Sequence, residues 1–210
     1  MMKLAVIGAN GKAGKLIVQE AVNRGYDVTA IVRSENKSAA QHVIEKDLFQ
    51  LTKDDLAPFD VVITAFSAWT PETLPQHSTS LMHLSDLLSG TDKRLLVVGG
   101  AGSLYVDKEH KVRLIDTPDF PDAYKPIAGA MAEGLELLRK REDVKWTYVS
   151  PAAEFVADGP RTGSYLLGGE EFFVNDEGQS IISYADYAIA MVDEATRGHF
   201  IQERISVIGE

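Results

Sequence analysis

The feature that most constrains this chain is its opening turn, Leu4-Ala5-Val6-Ile7-Gly8-Ala9-Asn10-Gly11-Lys12-Ala13-Gly14, an apolar run that empties into three glycines spaced three apart. Leu4 to Ile7 is too short and too continuously apolar for an amphipathic helix, so it reads as a strand buried on both faces. Lys15-Leu16-Ile17-Val18 then opens an amphipathic helix after Gly14. Glycine at the junction permits unusual dihedrals and lets main chain approach a ligand, while the unpaired N–H groups and positive dipole of a helix start favour an anion. A pyrophosphate meets both conditions. The spacing G-x-x-G-x-x-G differs from the commoner G-x-G-x-x-G, and it is the strand before and helix after that make it a dinucleotide-site signal.

The same alternation continues down the chain. Residues 26–32, rich in β-branched side chains, form a second strand after a helix that Gly25 ends; residues 42–45 form a third and residues 59–66 a fourth. A helix over 76–89, a strand over 93–98, a helix from Pro126 to Glu142 and a strand over 145–149 follow. Strands that alternate with helices predict an α/β fold, a doubly wound parallel sheet with right-handed crossovers and a ligand across the carboxyl ends of its strands. Beyond Ser150-Pro151 the pattern becomes turns and short β-like pieces around 165–167 and 171–174, which predicts a small C-terminal substrate lobe built mainly from 151–182. A helix from Tyr184 follows, with Ser183 as N-cap and Asp186 placed to complete the capping interaction, and residues 204–208 close the sheet. At 210 residues the reading is one domain with a minor lobe.

Composition narrows the function. A net charge of -10 argues against a broad nucleic-acid surface, and the absence of cysteine excludes disulfides, thiolate metal sites and a cysteine nucleophile. His77 and His83 stand six apart, out of the i, i+4 register of paired helical ligands, so no metal is expected. The first strand begins two residues in, leaving no space for a signal peptide, and no apolar run approaches the roughly 20 residues that cross a bilayer; a cytoplasmic, membrane-free protein is expected.

Candidate site residues lie at the predicted sheet edge. Gly8, Asn10, Gly11, Lys12, Ala13 and Gly14 form the phosphate loop. Arg33 stands at the end of the second strand, where an acidic residue would bind a ribose 2′-hydroxyl; a guanidinium there suits a 2′-phosphate, so NADP is expected in preference to NAD, with Lys12 and Ser34 as weaker support. Asp47 and the Leu48 N–H sit where an adenine edge would lie, and Ala65 and Phe66 end the fourth strand on the same rim. A second glycine turn, Gly99-Gly100-Ala101-Gly102-Ser103-Leu104, permits close approach beside a nicotinamide and holds out the Ser103 hydroxyl, read as the catalytic candidate; Ser150 and Pro151 join that end. Trp69, Tyr105 and Phe155, with Arg161 and Tyr165 from the minor lobe, are assigned to an acceptor pocket.

With these residues in hand, the chain resembles the atypical short-chain dehydrogenase/reductases, specifically the small bacterial NADH-flavin reductase-like proteins of the NAD(P)H-binding, NmrA-like group. The likeness rests on the glycine loop, on Ala30-Ile31-Val32-Arg33 and Val97-Val98-Gly99-Gly100-Ala101-Gly102-Ser103-Leu104, and more specifically on Trp146-Thr147-Tyr148-Val149-Ser150-Pro151, Gly159-Pro160-Arg161-Thr162-Gly163-Ser164-Tyr165 and Ile182-Ser183-Tyr184-Ala185-Asp186-Tyr187-Ala188. The resemblance implies a Rossmann-like domain that binds NAD(P)H and reduces a small flat acceptor such as a flavin or quinone. It departs at one point: the Tyr-x-x-x-Lys acid of the usual short-chain dehydrogenases is missing, Tyr124 having Ala128 four residues on. That disfavours alcohol and sugar chemistry, and it leaves two alternatives open, a non-catalytic NADP-binding redox sensor and an NAD-dependent epimerase-like enzyme with its acid placed elsewhere.

Overall fold

Alternate residues of the central strands enter opposite cores, which is why the strands read as continuous apolar runs. The computed structural model describes residues 1–210. In β1 (Lys3–Ile7), Leu4 and Val6 pack with Ile17 and Val18 of α1 (Lys12–Asn23), whereas Ala5 and Ile7 face the other side. There, beyond the single turn α2 (Lys53–Leu56), lie α3 (Gln76–Leu88) and α4 (Lys125–Leu138), while α5 (Tyr184–Arg197) covers the face shared with α1. Two helical layers thus sandwich one sheet.

The sheet has eight strands in the order β3 (His42–Glu45), β2 (Asp27–Val32), β1, β4 (Val61–Thr64), β5 (Arg94–Val98), β6 (Lys145–Ser150), β10 (Glu203–Ile208) and β8 (Leu166–Gly168). Every neighbouring pair is parallel except β10 with β8. The order reverses between β1 and β4, so the glycine loop after β1 opens onto the crevice at the carboxyl edge where this Rossmann-like architecture takes its ligand. No helix is long and apolar enough to cross a membrane.

Four details differ from the sequence reading. Helix α1 begins at Lys12, so Gly14 lies inside its first turn rather than before it. Residues 204–208 do not close the sheet: β8, drawn from the expected minor lobe, pairs antiparallel outside β10. Residues 171–174 form no strand and contribute one isolated bridge, Tyr105 with Glu171, whereas β7 (Glu154–Val156) and β9 (Ile181–Ser183) pair as a separate two-stranded sheet. Finally, Ser183 does cap α5 by accepting the Asp186 N–H at 3.0 Å, but the Asp186 carboxylate does not reach back to complete a box. It accepts instead from the Thr162 N–H (3.0 Å), the Thr162 hydroxyl (2.7 Å) and the Gly163 N–H (2.9 Å), pinning the 159–163 turn to the start of α5.

The tightest point of the sandwich is the first turn of α1, where a Cβ on Gly14 would stand 2.2 Å from the Gly8 carbonyl oxygen. Backbone cannot yield there as a flexible side chain would. Gly14→Ala is therefore expected to lower the unfolding free energy by about 2–3 kcal/mol in a urea titration; a loss below about 0.5 kcal/mol would show that the loop can move aside.

Candidate functional site

The corner between β1 and α1 is bare main chain. Gly8 sits at φ 75°, a conformation that L side chains rarely adopt, with its N–H on Ile31 O at 3.1 Å. Gly11 N–H donates to Gly8 O (2.9 Å), and the first helical bond runs from Lys15 N–H to Gly11 O (2.9 Å). No side chain caps this helix start. The N–H groups of Lys12, Ala13 and Gly14 consequently have no acceptor within the chain and, with the helix dipole behind them, suit the charge of a pyrophosphate. Alongside, the end of β4 closes against the loop: a Cβ on Gly8 would lie 2.8 Å from Ala65 O.

Arg33 is exposed at the end of β2 and makes no hydrogen bond or ion pair with the chain, so its guanidinium is available to a phosphate. The Asn10 carboxamide bonds Glu35 O (2.9 Å) and the Lys37 N–H (2.7 Å), tying the loop to the segment after β2. Asp47 is likewise engaged, accepting the Phe49 N–H at 2.9 Å to cap a short 3-10 turn, while the Leu48 side chain is buried in the core and its N–H has no partner within the chain.

At the β5–β6 end the glycines lie against the protein's own side chains. A Cβ at Gly99 would lie 2.3 Å from the Tyr148 ring and one at Gly102 would lie 2.8 Å from Ala128 Cβ, so the turn makes room for the protein's own side chains. Tyr148 is buried, its hydroxyl accepting from Gly100 N–H at 3.2 Å, and burial pushes that hydroxyl up to about 12. It therefore keeps its proton at neutral pH, turned toward main chain at Met131 O (3.5 Å). Ser103 is not held out: it is 8% exposed, and its oxygen accepts from Arg204 Nη1 at 3.1 Å. The turn folds inward because the fully buried Arg204 guanidinium needs acceptors. It takes Ser103 Oγ and O, Ser150 Oγ (3.4 Å) and the Glu170 carboxylate (2.9 Å from Nε), which Arg139 also grips at 2.7 Å. Sequence reasoning missed Arg204, although an arginine opening an otherwise apolar strand was a signal for a buried partner. Ser150 and Pro151 are both buried below this rim.

The five acceptor-pocket candidates do not converge. Trp69 is 66% exposed on the loop after β4, its backbone held next door by His77, whose Nε2 bonds Ala68 O at 2.9 Å. Tyr105 stacks on His110 (centroids 4.6 Å apart), and Phe155 packs on Tyr184 (3.9 Å) and Tyr187 (4.8 Å). Trp69 and Tyr105 stand on the segments that follow β4 and β5, and Phe155 on β7 after β6. Arg161 and Tyr165 lie elsewhere: Arg161 pairs with Glu20 of α1 at 3.2 Å and the Tyr165 hydroxyl donates to Asp193 of α5 at 2.8 Å, on the outer helical face toward the far ends of α1 and α5. The carboxylates of Glu20 and Asp193, which also pair with Arg24, hold them there, one by an ion pair and the other by a hydrogen bond. A cavity of about 20 Å³ between Thr64, His77, Ser80, Met131 and Tyr148 has space for about one water and none for a ring system.

Comparison with known proteins agrees with this geometry. A family model described as NAD(P)H-binding matches residues 8–196. The YwnB protein of Bacillus subtilis (strain 168), itself uncharacterized, is 46% identical over 211 residues, spanning 100% of this chain and 99% of its own. A Streptococcus pneumoniae TIGR4 protein, provisionally named an NADH-flavin reductase, superposes with a TM-score of 0.98 at 60% identity over the whole of both chains. A provisionally named epimerase from Bacteroides thetaiotaomicron superposes at 0.84 with 34% identity, covering 99% of this chain and 97% of that one.

Burial lowers the pKa of His77 below its ordinary 6.5, outweighing the opposing bond to Ala68 O. The unfolded chain therefore takes up a proton that the fold refuses, and stability falls as pH drops below about 6.5, by at most about 1.4 kcal/mol per pH unit. Urea midpoints between pH 7.5 and 5.5 should fall more steeply for the native chain than for His77→Gln; parallel slopes would show that His77 protonates freely in the fold.

Proposed function

The chain belongs to the NAD(P)H-binding family, and from that premise we propose that it is an oxidoreductase that uses NADPH to reduce a flat acceptor such as a flavin or quinone. A bound nicotinamide would supply the hydride. The observation that carries the proposal is the bare corner at residues 8–14, three partnerless amides at a helix start beside an unpaired Arg33. The amides of Lys12, Ala13 and Gly14 hold a pyrophosphate, and Arg33 grips a 2′-phosphate through charge-assisted bonds. The name of the Streptococcus pneumoniae relative specifies NADH; Arg33 is the reason for favouring NADPH here.

The rim supports a flat acceptor through what it offers and what it lacks. Trp69 is exposed on the loop after β4, with Tyr105, stacked on His110, following β5, and stacking on such rings would hold two planes in register. No tyrosine-lysine pair is present, and the hydroxyls of Tyr148 and Tyr187 are buried against main chain, Tyr187 donating to Val149 O at 2.7 Å. Flavins and quinones take hydride into an electron-poor ring and can draw the balancing proton from water, so the chain's task is orientation. Ser103, buried and bonded to Arg204, serves this reading by ordering the loop after β5. The same missing acid weighs against an epimerase and favours one second reading, a nucleotide-binding regulator without turnover.

Purified protein with NADPH and excess FMN, riboflavin or a soluble quinone should oxidise the nicotinamide well above the protein-free rate, followed by loss of absorbance. Tight NADPH binding with no turnover across all acceptors would establish the regulator instead. For the nucleotide, Arg33→Ala should weaken NADPH binding by about tenfold or more and NADH binding by less than about twofold, since charge-assisted bonds to the 2′-phosphate are lost; equal losses would remove the assignment.

A further inference from the structure

One side chain joins the glycine loop to the segment that follows β2. The Asn10 carboxamide donates to Glu35 O at 2.9 Å and accepts the Lys37 N–H at 2.7 Å, pairing with the C=O and N–H of two alternate residues much as an adjacent strand would. The segment is also braced from within. Asn36 Oδ1 accepts from the Ser38 N–H (3.0 Å) and the Ser38 hydroxyl (2.7 Å). Arg33 therefore lies between two fixed points: Val32, paired with Glu45 in the sheet, and Glu35, held by Asn10. Its backbone is fixed on both sides while its guanidinium remains exposed and unpaired.

We propose that Asn10 is a positioning residue for nucleotide selectivity, setting the Arg33 segment against the glycine loop so that one nucleotide meets both the helix amides and the guanidinium. This rests on the reading of Arg33 given above. The physical basis is pre-organisation. An arginine on a free loop must lose backbone and side-chain freedom when it grips a phosphate; with the loop already bracketed, the backbone part of that loss is removed before binding. NADH lacks the 2′-phosphate, so the bracket gives it no comparable advantage. Both ends of the Asn10 carboxamide bond main chain, which ties its side chain to the Arg33 segment.

Calorimetric titration of NADPH and NADH, without any acceptor, into the native chain, Asn10→Ala, Arg33→Ala and the double variant tests this. Asn10→Ala should weaken NADPH about five- to tenfold and NADH less than about twofold, from two lost main-chain bonds that fix the loop. In the Arg33→Ala background the same change should leave the remaining selectivity untouched, because it acts through the guanidinium. Equal losses for both nucleotides in Asn10→Ala, or a further selectivity loss in the double variant, would overturn the proposal. Unchanged selectivity in Arg33→Ala alone would remove the Arg33 assignment and the proposal with it. Amide exchange in the nucleotide-free protein gives a second readout: the Lys37 N–H should exchange about tenfold faster or more in Asn10→Ala, and an unchanged rate would also overturn the proposal.

Discussion

The contact on which the rest depends is between the first turn of α1 and the carbonyl of Gly8, so close that no side chain fits between them. It draws the helix start over the end of β1, which faces the unpaired N–H groups of Lys12, Ala13 and Gly14 toward the crevice where the strand order reverses. Packing and binding therefore share a cause: the close helix-strand approach that completes the core also leaves a positive end exposed at the ligand edge. Gly8 is held at positive φ by the same arrangement, with Ala65 O occupying the space its side chain would need.

Opposite this corner the sheet is held by buried charge. Arg204, on β10, reaches Ser103 after β5, Ser150 at the end of β6 and Glu170 beyond β8, while Arg94 at the start of β5 bonds Glu194 Oε1 (2.5 Å) and Thr147 Oγ1 (2.6 Å). Buried ion pairs are poor sources of net stability, since desolvation offsets most of the attraction. Their value is geometric, because a guanidinium with five donors accepts few arrangements of its neighbours. Arg204 thus fixes how the loop after β5 sits against the end of β6.

Much of the frame is legible in the sequence because it follows from local rules. Strands buried on both faces leave apolar runs at 4–7, 61–63 and 95–98, and the order of alternation implies the parallel sheet. Ser183 announces the α5 cap. What escapes the sequence depends on partners far along the chain. Nothing near Asp186 says that its carboxylate will hold Thr162 and Gly163 rather than its own helix start. Nothing near Gly99 says that the space is needed for Tyr148. The placement of Arg161 and Tyr165 on the α1–α5 face is set by Glu20 and Asp193, residues remote in sequence whose charges only the fold brings together.

The central claim is that a nucleotide's phosphates lie against the main chain of residues 8–14. Backbone amide chemical shifts, followed by NMR as NADPH is titrated in, test it most directly. The amides of Lys12, Ala13 and Gly14 should move furthest, downfield as they gain an anionic acceptor, with the Arg161 and Tyr165 amides nearly still. Large shifts centred on the α1–α5 face with the glycine loop unmoved, or no shifts at all, would contradict it.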